Sequence, residues 1–113
     1  MDESVISNLI LELRRGTQVL AVLSQLDEMK YGYSLLQDLE NKNIKIEAGT
    51  LYPLLRRLET QGLLISEWDT SESRPRKYYL LSEEGKRTLA ILKNEWDLIV
   101  SEIKSITKGA DHE

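Results

Sequence analysis

The last third of the chain carries an apolar seam that a small domain cannot cover alone. Leu89, Leu92, Trp96, Ile99, Ile103 and Ile106 recur at alternating spacings of three and four, the heptad signature of one helix packing along another. Ser82 suits the N-cap of this helix, and Glu83 and Glu84 place negative charge in its first turn, where the helix dipole favours it. The pattern predicts helix from residue 83 to about Lys108, with Gly109 as its C-terminal cap and residues 109–113 as a flexible tail. At 1.5 Å per residue such a helix is roughly 37 Å long. A 113-residue chain has too little core to bury it. The six seam residues are therefore expected to dimerise with a second copy of the chain.

Upstream, the apolar spacing predicts four shorter helices. Val5, Ile6, Leu9, Ile10 and Leu13 mark the first, over Ser4 to Arg14, which is expected to pack on the partner's last helix. Gly16 interrupts it. Val19, Val22, Leu23 and Leu26 mark a second from about Thr17 to Glu28. A third runs from about Tyr31 to Asn41 with Leu35, Leu36 and Leu39 inward, and Asn41-Lys42-Asn43 closes it, because Asn tolerates the left-handed conformation. After a connection over Ile44 to Ala48, the fourth runs from about Thr50 to Gln61. Thr50 reads as its N-cap and Pro53 as its third residue, where no helical amide bond is lost. Leu51, Leu54, Leu55 and Leu58 share one face, and Tyr52, Pro53, Arg56, Arg57 and Thr60 the other. Gly62 ends it. Leu63 to Asp69 and Arg76 to Leu81 read as strands of a hairpin, joined by the polar link Thr70 to Pro75.

The order of helices, then hairpin, then long helix is that of a winged helix-turn-helix. The fold expected is mainly α with a small β-hairpin: a winged helix-turn-helix domain over residues 1–82, including the N-terminal helix, plus a long C-terminal dimerisation helix over 83–108. In that arrangement the fourth helix enters the DNA major groove, which is wide enough to admit a helix. Tyr52, Arg56 and Arg57 project from it, and Arg74, Arg76 and Lys77 cluster at the hairpin. The same cations also fit a solvated surface, and Arg56 could instead pair with Glu59 or Thr60. The net charge of −4 weighs against nucleic acid, but it is unevenly spread. Residues 1–29 hold 2 basic and 5 acidic side chains, residues 81–113 hold 5 and 7, and residues 30–80 hold 8 and 7. A DNA binder needs cations at the phosphates, whatever its overall charge.

Several functions are disfavoured. Cysteine is absent, which removes disulfides, thiolate metal sites and cysteine nucleophiles. The single histidine is His112, in the expected tail, and neither metal-ligand spacing nor a glycine-rich phosphate loop occurs. No enzyme, cofactor or metal is expected. No apolar run reaches the roughly 20 residues of a membrane span. Asp2 and Glu3 replace the cations of a secretory leader. The expected location is the cytoplasm.

Tyr31-Gly32-Tyr33, the run Gly49-Thr50-Leu51-Tyr52-Pro53-Leu54-Leu55-Arg56-Arg57-Leu58-Glu59, then Gly62-Leu63, Arg74-Pro75-Arg76-Lys77-Tyr78-Tyr79 and Leu81-Ser82-Glu83-Glu84-Gly85 together resemble the PadR family of bacterial transcriptional regulators. The likeness covers residues 14 to 108 in order, and the length is similar to the compact branch with a single C-terminal helix. The resemblance implies a homodimeric repressor that binds a palindromic operator in double-stranded DNA and is released by a small-molecule effector. It also implies that Gly49, Thr50, Tyr52 and Pro53 begin the recognition helix and lie against DNA, with Tyr31 and Tyr33 near a phosphate. Core packing is the other reading for those two tyrosines. Tyr78 and Tyr79 point to opposite faces of their strand, so at least one is expected to pack inward.

Trp96 lies mid-seam. It reads either as a large knob in the dimer core or as one wall of a pocket between subunits, stacking on a flat, apolar or aromatic effector. The rival to the DNA-binding reading as a whole is a winged-helix protein-interaction module that reads no DNA.

Overall fold

The computed structural model describes residues 2–111. Its elements are α1 (Glu3–Arg15), α2 (Gln18–Ser24), β1 (Lys30–Tyr31), α3 (Gly32–Asn41), α4 (Ala48–Thr60), β2 (Leu64–Asp69), β3 (Arg76–Leu81) and α5 (Glu83–Asp111). The fold is the expected one, five helices and a small antiparallel sheet forming a winged helix with a long last helix.

Local chemistry sets most boundaries. Asp2 caps α1 by accepting from the Ser4 amide at 2.9 Å, and Arg14 and Arg15 occupy its last turn, where the dipole favours cations. Asn43 takes φ 64° after α3, the left-handed turn expected of an asparagine there. Gly62 at φ 82° closes α4, while the Leu63 amide reaches back to the Leu58 carbonyl. The Ser82 hydroxyl accepts from the Gly85 amide and donates to the Gly62 carbonyl. One side chain thus caps α5 and ties it to the end of α4.

Four features differ from the sequence expectation, the first three for a tertiary or capping reason. First, α2 ends at Ser24 rather than near Glu28. Leu26 is fully buried and its carbonyl accepts from the Leu81 amide at 2.9 Å, so the chain leaves the helix to reach the sheet. Second, Lys30 and Tyr31 form a third strand, paired antiparallel with Tyr79 and Tyr78 of β3, which gives the order β1-β3-β2. Third, α4 begins at Ala48 with Glu47 as its N-cap, because the Glu47 carbonyl already accepts from the Thr50 and Leu51 amides. Thr50 is therefore inside the first turn and is not the cap. Pro53 consequently falls sixth in the helix, where its missing N–H does leave the Gly49 carbonyl without its helical donor. Fourth, α5 continues to Asp111, past the Lys108 end and the Gly109 cap; residues 112 and 113 of the expected tail, His112 among them, lie outside the described residues.

The core is aliphatic. Val22, Leu23, Leu26, Leu35, Leu39, Leu51, Leu55, Leu58 and Leu64 are buried to within 2% of completely, each contributing roughly 1.5–3 kcal/mol of burial. Leu89 and Leu92 pack against this core, so the first part of the seam is satisfied within the chain. Its remainder is not: Trp96, Ile99, Ile103 and Ile106 are exposed, as are Val5, Ile6, Leu9, Ile10 and Leu13 of α1, which buries no residue at all. No helix of the described residues is long and apolar enough to cross a membrane.

Candidate nucleic-acid interface

The amphipathic spacing of α4 turns its leucines onto the core and leaves Gly49, Thr50, Pro53, Arg56 and Arg57 exposed, with Tyr52 half-buried. The β2–β3 hairpin stands beside it. Leu64, Ser66 and Trp68 of β2 lie opposite Leu81, Tyr79 and Lys77 of β3, so side-chain alternation puts these six on one face. Ser66 and Lys77 both bond Glu59 of α4, which identifies this as the face turned toward the helix.

Between helix and hairpin lies a groove of about 810 Å³. Its walls bring together Tyr52 and Arg56 from α4, Arg74, Arg76 and Lys77 from the hairpin, Tyr31 from β1 and Tyr33 from the first turn of α3. Seven of the residues singled out from sequence thus meet in one place. Thr50, Pro53 and Arg57 do not; they line a separate recess on the opposite flank of α4. Arg56 and Arg57 are adjacent in sequence, yet the roughly 100° turn per helical residue sends them to different sides. Gly49 stays at the exposed start of the helix, with open space around it.

The cations in the groove differ in freedom. Lys77 is half-buried, pairs with Glu59 at 3.0 Å and lies over the rings of Tyr79 and Trp68. Hydrogen bonds from Ser66 and then Lys77 hold the Glu59 carboxyl below the usual glutamate range, and Glu59 in turn raises Lys77. This pair ties the hairpin to α4. Arg76 is exposed, faces exposed Glu72 at 3.6 Å, and sits 5.1 Å over the Tyr31 ring. An exposed pair of that kind is worth about 0–1 kcal/mol, so Arg76 is readily available to another anion. Arg56 and Arg74 make no ion pair among the described residues; Glu59 is taken by Lys77, and Thr60 bonds only the Arg56 carbonyl.

The tyrosines are organised by the sheet. Tyr79 is buried, whereas Tyr78 points to the other face and stacks on Tyr31 with ring centres 3.9 Å apart. The Tyr78 hydroxyl donates to that of Tyr31, which donates to Asp69 at 3.0 Å. Those bonds, with the partial burial of the ring, push the Tyr31 phenol well above its ordinary range, so it is a neutral donor at physiological pH. Asp69 is held low chiefly by the Ser71 hydrogen bonds and also by Tyr31. Tyr33 is exposed, and its hydroxyl accepts from Gln37.

Sequence reasoning missed three participants. Trp68 lines the groove and is 63% exposed; a large aromatic on a short wing is itself a signal. Glu59 acts as the hairpin's anchor. Gly32 lies under Tyr52, where a methyl group would stand 2.6 Å from the ring. Trp96 lies elsewhere, in an apolar groove of about 850 Å³ between the α1–α2 region and α5 that also touches Leu20, Ala21, Leu89, Ile99 and Ile103.

Comparison with known proteins places these features in context. Residues 19–91 match the family described as the transcriptional regulator PadR-like family. A solved PadR family transcriptional regulator from Eggerthella lenta DSM 2243 shares 50% identity and a TM-score of 0.89, over 92% of this chain and 93% of that one. Another from Clostridium difficile R20291 shares 30% identity and a TM-score of 0.72, over 80% and 97%. Among curated proteins, the transcriptional regulator Rv3488 of Mycobacterium tuberculosis is 38% identical over 63 residues. That match takes in 56% of this chain and 59% of the relative's length, less than two thirds of it.

Proposed function

Because the chain belongs to the PadR-like family of transcriptional regulators, we propose that it is a homodimeric repressor that reads a palindromic operator with α4 and holds the flanking backbone with its hairpin. The observation that carries this reading is the shared groove, in which Tyr52 and Arg56 of the reading helix face Arg74 and Arg76 of the wing. Phosphates demand local cations; Arg56 and Arg74 make no ion pair among the described residues and Arg76 makes only an exposed one with Glu72, in a chain whose net charge is −4. Dimerisation through α1 and α5 is supported by their uncovered apolar faces. It would set two reading helices about one DNA turn, roughly 34 Å, apart. Such a protein works in the cytoplasm.

Retardation of DNA from the region upstream of its own gene tests the proposal. Binding is expected to weaken steeply as salt rises, and Arg56→Ala or Arg76→Ala to weaken it further. If a protein shown to be dimeric retards no such DNA even at low salt, the interaction-module reading, which the sequence pI of about 5.1 favours, takes its place.

For regulation, we propose that a flat apolar effector enters the groove beside Trp96. The support is an exposed indole in a largely aliphatic recess next to the dimerising face. The effector releases DNA only insofar as it binds one spacing of the reading helices better than another. Quenching of Trp96 fluorescence by planar aromatic compounds, together with a weaker operator affinity in their presence, is the expected result. No quenching across such a panel would leave Trp96 as a dimer-core residue.

A further inference from the structure

A helix lying in the major groove has a sugar-phosphate backbone on each of its flanks, because the groove, about 12 Å wide, admits little more than the helix itself. On one flank of α4 the wing supplies Arg74 and Arg76 beside Arg56. The other flank opens onto the recess of about 880 Å³ that holds Thr50 and Pro53. Three cations line it, each from a different part of the chain. Arg57 comes from α4, Lys45 from the connection between α3 and α4, and Arg15 from the last turn of α1. All three side chains are exposed, and none makes an ion pair among the described residues. The one acid among the lining residues is Glu47. Arg15 is set apart from its neighbour Arg14, which faces the Trp96 groove instead.

We infer that Arg15, Lys45 and Arg57 form a second phosphate-binding flank, so that α4 lies between two cationic walls that grip the two DNA strands. This rests on the DNA-reading function proposed above and extends it to Arg15 and Lys45, which no sequence motif connects. The charge arrangement fits. Where the chain as a whole is acidic, free cations are gathered on both sides of one helix. Phosphate contacts fix the position of a protein on the duplex without carrying sequence information, so this flank sets the depth and angle of α4 and leaves base choice to its exposed face.

The test is the salt dependence of binding, read as anisotropy of a labelled duplex from the protein's own upstream region and of a random duplex of equal length. Each lost phosphate contact lowers the slope of log affinity against log salt by about 0.9. A symmetric dimer loses two contacts per substitution. The Arg15→Gln/Lys45→Gln variant is therefore expected to lower the slope by about 3–4 and, relative to equal affinities near 1 M salt, the affinity by roughly a thousandfold near physiological salt. Both duplexes should lose equally, and sedimentation should still find the wild-type dimer. Glu47→Gln, which removes the one acid, is expected to tighten binding of both duplexes. A double variant with the wild-type slope, or a loss confined to the upstream duplex, overturns the second flank while leaving DNA reading intact. A wild-type protein that binds neither duplex at low salt overturns the DNA reading itself.

Discussion

A methyl group at position 85 has nowhere to go. It would stand 2.1 Å from the Leu63 carbonyl oxygen and 3.1 Å from a Leu81 methyl, and the first of these is backbone that cannot swing aside. Gly85→Ala is expected to destabilise the fold by at least about 1–3 kcal/mol, the range for overpacked cores, read as a lower urea midpoint at unchanged slope. Glu59 makes the residue-scale case for pH. Its carboxyl is held below the ordinary value by Ser66 and Lys77, so the folded state binds its proton more weakly than the unfolded chain. The resulting stability is fully present above about pH 4.3, the value of a free glutamate, and is lost as pH falls through the lowered folded value. Glu59→Gln should therefore be less stable than wild type at neutral pH, with the gap narrowing below that point in denaturant titrations at stepped pH. A constant gap across the range would mean that the charge contributes nothing.

Among the elements, α4 combines the proposed reading surface with an internal flaw. Pro53 lacks the N–H that Gly49's carbonyl would accept, and it sits on the exposed side. Pro53→Ala supplies that donor. Set against the entropy regained by the unfolded chain, the expected gain is about 1–2 kcal/mol, seen as a raised melting temperature; a lower one would mean that the proline ring packs favourably where it stands. At this scale the sequence was readable where periodicity carries the signal. The leucine face of α4, the leucines of α3, the two strands of the hairpin and the Ser82 cap all follow from local spacing, and all occur. What local spacing does not carry is a two-residue strand. β1 exists because β3 offers it an edge. The cap of α4 escaped for a related reason: Glu47 caps with its backbone carbonyl, with no side-chain hydrogen bond, so the residue type conveys nothing, whereas Thr50 advertises a cap that it does not form.

Over the whole molecule, the unfilled demand is apolar. Principal extents of 62 × 34 × 22 Å describe a body with a long helix extending from it. The outward faces of α1 and of α5 beyond Leu92 would otherwise leave Ile6, Leu9, Trp96, Ile99 and Ile103 in water, an arrangement that marks an interface. If the proposed dimer reads two half-sites, Ile103→Glu is expected to shift sedimentation toward monomer and to weaken operator binding at least tenfold, because the half-sites then lose their linkage. A variant that stays dimeric at the same concentration would move the interface elsewhere. A single protomer cannot satisfy α1, whereas Leu89 and Leu92 find their partners within the chain.

Taken alone, the sequence determined the order of elements, their amphipathic faces and the existence of an apolar seam along the last helix, since each of these is written in neighbours three, four or two residues apart. The tertiary structure decided how charges and rings are grouped. Tyr78 and Tyr31 meet across 47 residues, Lys77 leaves the free cations to anchor the wing on Glu59, and Arg57 parts from Arg56 to join Thr50 and Pro53 on the far flank. Packing geometry sets such groupings, because the position of a side chain in space depends on how whole helices and strands are seated against the core. The seam was thus legible in the sequence, but its division was not: Leu89 and Leu92 turn to the core of their own chain because α5 is seated on α2 there, and only beyond them does the helix run past the domain with its apolar side uncovered.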